Sequence, residues 1–216
     1  MDFIKEACVE GYNEAIQAKI RGADRIELCS SLHEDGLTPD RNTIISVSKA
    51  LTIPVKVMIR PRPGNFIYSQ EEITQMESDI SFCKQQGIKE VVFGCLDKRK
   101  RVDLVTVNRL AKISDPMKIT FHKAIDHTHN IFDEMEKLVK CRGVASVLTS
   151  GESKFVLNNK NLLLKILKHF KGKLKIIIAG GISEKNFDNI HQVFNWDEYH
   201  GRKIVGNLNN ATKSFN

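Results

Sequence analysis

Two short segments carry the same pair of reactive residue types at the same spacing, Glu6-Ala7-Cys8 and Glu27-Leu28-Cys29. In an extended strand the side chains at i and i+2 lie on one face, so each glutamate shares a face with its cysteine. Neighbouring strands run ~4.8 Å apart. If both faces point into one interior, two carboxylates and two thiols meet in one small space. Cysteines in such segments can equally be small buried hydrophobes that need no ligand. A buried carboxylate needs a positive partner, and Arg60, Arg62 or Lys123 could supply one. The glutamates are then either working groups or members of a structural ion-pair network.

Further candidates lie downstream. His122-Lys123, followed by Asp126, has the look of acid–base equipment, because an imidazole titrates near neutrality. Arg60 and Arg62 alternate with Pro61 and Pro63, which restrict the backbone around them. A guanidinium fixed in this way can grip a carboxylate or phosphate through two parallel hydrogen bonds. Ser150-Gly151 and Gly180-Gly181 read either as simple tight turns or as backbone that seats a phosphate. The candidates for proton exchange are therefore Glu6, Glu27, His122 and Asp126. Those for holding an anion are Arg60, Arg62, Lys123, Ser150, Gly180, Gly181 and His200.

The elements that must position these residues form a regular series. β-branched runs fall at residues 3–9, 25–29, 55–59, 90–95, 118–122, 144–148 and 174–179, with a weaker one at 198–200. Segments of helical periodicity separate them, such as Ile73, Met76, Ile80 and Cys83, or Leu162, Leu163, Ile166, Leu167 and Phe170. Gly22, Gly87 and Gly143 stand where a helix ends in a left-handed residue before the next strand. Ser69 and Glu72 form a capping box, and Ser183-Glu184 reads as a second helix start. Met76 and Met135 fall on apolar helical faces and Cys83 and Cys141 on helices. Eight strand–helix units predict an α/β fold, a TIM-like (β/α)8 barrel in one domain over residues 1–216. The rival, an open doubly wound sheet, would carry a glycine-rich turn after its first strand, and Cys8-Val9-Glu10-Gly11 is not one. After His200 no helical pattern follows, so the last helix is expected to be missing or truncated. Barrel chemistry sits at the C-terminal strand ends, where Glu6, Glu27, Arg60, His122 and Ser150 are expected to converge.

Composition removes other classes. The 216 residues carry 33 Lys and Arg against 26 Asp and Glu, a net charge of +7. That excess permits an anionic ligand without requiring one. The basic run Lys98-Arg99-Lys100-Arg101 has no interleaved aromatics, so it reads as a solvated loop and not as a nucleic-acid site. The five cysteines are scattered with no CxxC pair, which excludes a disulfide scaffold and fits reduced cytosolic thiols. No signal peptide is expected at the N-terminus, and the apolar stretch from Ile176 to Ile182 is too short to span a membrane.

Several blocks together resemble the CutC family of copper homeostasis proteins. They are residues 22–29 (GADRIELC), 36–39 (GLTP), 58–62 (MIRPR), Tyr68-Ser69, 120–126 (TFHKAID) and 147–151 (VLTSG). The resemblance implies a TIM-like barrel, a cytoplasmic location, assembly as a homo-oligomer with a dimer favoured, and a role in copper handling. It also implies copper(I) binding by Cys8 and Cys29, since a soft monovalent ion accepts thiolates in low coordination number. Glu34-Asp35 before Gly36, Lys123 in place of a common Arg, and the short C-terminal region depart from the fuller pattern. Two functions follow. One is copper(I) binding without turnover. The other is an enzyme acting on a small anionic or phosphorylated metabolite at the barrel mouth, which the density of charge at the strand ends favours.

Overall fold

The structure, a computed structural model, describes residues 3–208. Eight parallel strands pair in sequence order and close on themselves. They are β1 (Ile4–Glu10), β2 (Arg25–Cys29), β3 (Val55–Met58), β4 (Glu90–Phe93), β5 (Lys118–Phe121), β6 (Val144–Thr149), β7 (Lys175–Ile178) and β8 (Glu198–Gly201). Among the described residues, seven α-helices pack outside: α1 (Gly11–Ile20), α2 (Arg41–Ala50), α3 (Gln70–Gln85), α4 (Leu104–Ser114), α5 (Ile131–Val139), α6 (Lys160–Phe170) and α7 (Phe187–Phe194). The closed barrel excludes the open sheet. Among the described residues no helix follows β8; the chain turns at Lys203, which bridges to Ser183 in the loop before α7. Most of the Asn-rich tail, residues 209–216, lies outside the described residues.

Local chemistry explains most boundaries. Ser69 accepts the Glu72 backbone N–H and the Glu72 carboxylate accepts that of Ser69, so the capping box opens α3. Asp40, Asp103 and Asn130 cap α2, α4 and α5 more simply, each side chain accepting one backbone N–H of the first turn. Ser183 does not open α7. Its backbone N–H donates to Asn186 Oδ1 at 2.8 Å, and the helix begins only at Phe187. Cys141 lies just beyond α5 and not on it, while Cys83 lies within α3.

The outward strand residues and inward helix faces form one apolar layer, with Ile26, Val91, Met76 and Met135 all fully buried. Each such side chain contributes roughly 1.5–3 kcal/mol on leaving water. The barrel interior is different, because its lower half is polar. Lys56 Nζ lies 3.1 Å from Glu6 Oε2, 2.8 Å from Glu90 Oε1 and 2.8 Å from Thr120 Oγ1. Arg25 pairs with Glu6 and with Glu198, the latter at 2.6 Å. Glu6 has no solvent exposure and Lys56 only 1%. This network is a charged floor, and the site stands on it.

Candidate functional site at the barrel mouth

Strand register stacks the site directly over the floor. Cys8 of β1 pairs with Glu27 of β2, and Glu6, one step lower, pairs with His200 of β8. A ligand atom from each of Cys8, Glu27 and His200 lies within 4.8 Å of the other two. Cys8 Sγ is 3.8 Å from Cys29 Sγ, and the Cys29 thiol donates to Glu27 Oε2 at 3.6 Å. His200 Nδ1 is 2.8 Å from Glu6 Oε1, and its Nε2 is 3.7 Å from Glu27 Oε2. Glu6 thus anchors the imidazole from below while Cys8 and Glu27 meet its other edge.

These contacts set the protonation states. Hydrogen bonding from Cys29, assisted by His200, lowers the Cys8 thiol to about 5 against the effect of burial. The same contact holds Cys29 well above the usual thiol range, and burial adds to it. Burial raises Glu27 to about 8. Burial opposes the charged form of His200, yet Glu27, Cys8 and Glu6 together raise it well above the ordinary imidazole value. Burial would also raise Glu6, but Lys56, His200 and Arg25 hold it well below the usual carboxylate range. The shifts favour the ionised forms of Cys8 and Glu6 and the protonated form of His200.

Above the cluster opens a cavity of about 480 Å3 at the C-terminal strand ends. Of the predicted residues, Cys8, Glu27, Arg60, His122, Lys123, Gly180, Gly181 and His200 line it. The others do not. Glu6 belongs to the floor. Cys29 is 1% exposed and sits behind Cys8. Arg62 turns away to Glu72, Asn65 and the Ile67 carbonyl. Asp126 accepts the backbone N–H and hydroxyl of Ser150, at 2.9 and 2.8 Å, and the hydroxyl of Thr149, so it staples the end of β6, and neither Asp126 nor Ser150 lines the cavity. Glu27, Arg60 and His122 therefore meet in the mouth; Ser150 stands at the same end of the barrel, after β6, but outside the cavity, and Glu6 lies one layer below it. The partners expected for the buried glutamates were Arg60, Arg62 and Lys123; the structure supplies Lys56 and Arg25 for Glu6. Lys56 could have been found by alternation, since it lies two and four residues before Met58 and Arg60 on the same strand face. Sequence reasoning also missed Phe66 and Lys154, which reach the mouth from loops with no periodicity to read.

His122 owes its place to a glycine. A Cβ on Gly94, at the end of β4, would lie 2.6 Å from His122 Nδ1. Burial and the nearby Arg60 charge lower His122 to about 3, so it is neutral. Of the four buried side-chain polar atoms without a hydrogen-bond partner among the described residues, three belong to this cavity: Glu27 Oε1, Arg60 Nε and His122 Nε2.

An eight-stranded parallel barrel with a thiolate–imidazolium pair at the base of a cationic mouth defines the class: a TIM-like barrel whose site lies at the C-terminal strand ends. The model of the CutC family matches residues 3–205, and the chain belongs to that family. A human copper homeostasis protein cutC homolog is 37% identical over 198 residues, covering 92% of this chain and 72% of its own. A CutC family protein of Glaesserella parasuis is 38% identical over 188 residues, covering 87% and 76%. A CutC protein structure from Streptococcus agalactiae superposes with a TM-score of 0.89 at 26% identity, covering 94% of this chain and 99% of the other. No helix among the described residues is long and apolar enough to cross a membrane.

Proposed function

We propose that the chain serves copper homeostasis by binding copper(I) as cargo at Cys8 and Cys29, with His200 as a third donor. The observation that carries this reading is the 3.8 Å separation of the two sulfurs beside the His200 imidazole. Two metal–thiolate bonds of ~2.3 Å span at most ~4.6 Å, so one ion can bridge these sulfurs in a bent arrangement open to a third ligand. Thiolate and imidazole donors suit a soft monovalent ion, which must displace the protons of Cys29 and His200 as it binds. Cys8 is poised as a thiolate, while Glu27 and Glu6 orient the donors from outside the ligand set. Assembly as a dimer in the cytoplasm belongs to the same proposal and rests on the family.

The test is titration of the reduced protein with copper(I) against a competing chelator. Cys8→Ser/Cys29→Ser is expected to lose more than an order of magnitude in affinity, and Cys83→Ser/Cys141→Ser none. Equal affinity in the first double variant and the wild type would sink the assignment. The alternative, an enzyme acting on a small anionic metabolite, is favoured by a separate observation, the cations that surround the cavity above the thiols.

A further inference from the structure

We infer that the barrel mouth binds a small phosphomonoester bearing a carbonyl or carboxylate oxygen at its other end. This inference stands on the cavity and not on copper binding.

Beside the inner end of the cavity lie two buried hydrogen-bond donors without acceptors. Arg60 is 4% exposed and meets no carboxylate among the described residues. Its Nη1 donates to the Glu34 and Gly36 carbonyls at 2.7 and 3.0 Å, and its Nη2 to the Gly64 carbonyl at 3.0 Å. Its Nε–H has no partner. Main-chain carbonyls fix this guanidinium in place without neutralising it. His122 Nδ1 accepts the Ala124 backbone N–H at 3.2 Å, which leaves the ring proton on Nε2, again without a partner. Phe66 holds both groups to one wall: its ring centroid is 5.1 Å from the Arg60 guanidinium carbon and 4.9 Å from that of the His122 ring. Two buried donors flanking one aromatic ring call for an oxygen acceptor, and leaving each unmade costs about 1–3 kcal/mol. A cation placed there would meet the Arg60 charge.

The outer end carries an excess of positive charge, four cations against the one carboxylate of Asp35. Lys123, Lys154, Arg202 and Lys203 line the same cavity. Among the described residues only Arg202 approaches a carboxylate, Glu14, and that at 4.0 Å. Arg202 and Lys203 follow β8 and Gly181 follows β7, the loops in which barrels of this class seat phosphate. Four cations around one opening match a dianionic phosphate better than a single carboxylate. Phosphate at the rim and an oxygen acceptor at the Arg60–His122 wall describe one small ligand held at both ends.

Calorimetric titration of the full chain with phosphoenolpyruvate, pyruvate and inorganic phosphate, at matched ionic strength, tests this. Phosphoenolpyruvate is expected to bind most tightly. Arg202→Gln/Lys203→Gln, at two exposed positions, should weaken it at least roughly tenfold. His122→Phe should weaken it without affecting inorganic phosphate. Cys8→Ser/Cys29→Ser should still bind it, which separates this inference from the copper reading. The inference is overturned if phosphoenolpyruvate does not bind, if pyruvate or phosphate alone binds as tightly, or if the Arg202→Gln/Lys203→Gln variant binds it unchanged.

Discussion

Cys8 shows how one residue takes its reactivity from its neighbours. A free thiol ionises near ~8.5, so its alkylation rate climbs through the alkaline range. With Cys8 lowered to about 5, its reaction with iodoacetamide should rise between roughly pH 4 and 6 and then stay flat. Cys83, Cys95 and Cys141 are held above the ordinary thiol value by burial and should stay silent in the folded protein. Mass spectrometry of the alkylated sites checks this; a Cys8 rate still rising at pH 9 would contradict the thiolate assignment. Glu27 gives a second prediction of known sign. Its folded value of about 8 lies above the unfolded value, so the folded state binds more protons between the two. Stability is lost across that window as pH rises, by up to about 1.4 kcal/mol per unit. Glu27→Gln should therefore match the wild type near pH 4 and exceed it in urea denaturation at pH 8. Equal midpoints at pH 8 would show that Glu27 ionises normally.

At the scale of elements, the junctions between strands and loops shape the mouth. A Cβ on Gly201 would stand 2.3 Å from the carbonyl oxygen of Ile182, in the loop after β7. Because the obstacle is backbone, Gly201→Ala must displace that loop or the end of β8. We expect a cost of about 1–3 kcal/mol in thermal or urea unfolding, together with weaker phosphomonoester binding. Wild-type stability in this variant would refute the close approach. Most of the eight strands could be read from the sequence because they are β-branched runs bounded by turn residues, as parallel strands buried on both faces need, while β8, with no β-branched residue, was legible mainly as the unit needed to complete the series. The pairing of glutamate with cysteine could be read from alternation alone. Alternation did not reveal which residues sit in the floor and which in the mouth, because depth depends on the stagger between strands. Glu6 and Cys8 share a face and yet serve different layers. Ser183 misled because its serine–acid pair imitates a cap, whereas the turn through Asn186 delays α7 by one further step. Arg62 misled because its alternation with Arg60 across proline does not survive the bend after β3, where Glu72 captures it.

At the scale of the whole molecule, the barrel is held from inside as well as outside. Lys56 ties β3 to β1, β4 and β5 through Glu6, Glu90 and Thr120. Removing one member of such a buried network leaves an uncompensated charge, which costs about 3–5 kcal/mol. Lys56→Met should show that loss in urea denaturation near neutral pH. It should recover part of it as pH falls and Glu6, deprived of its lysine, takes up a proton. A variant as stable as the wild type at pH 7 would mean that the floor contributes nothing to holding the strands together. The same floor relates the net charge to the site: carboxylates gather below and an excess of cations above, so the field inside the barrel points an anion towards the mouth.

The floor has one more consequence, for the order of events. Because the base of the barrel is packed with ion pairs, Cys8 faces a passage with a single entrance. Whatever enters second lies on top of whatever entered first. A metal ion held at the sulfurs could not depart while an anion occupied the rim, and an anion already seated would turn an arriving ion away. Under the two proposals together, the barrel works as a last-in, first-out stack, in which the concentration of a metabolite sets how long a metal stays.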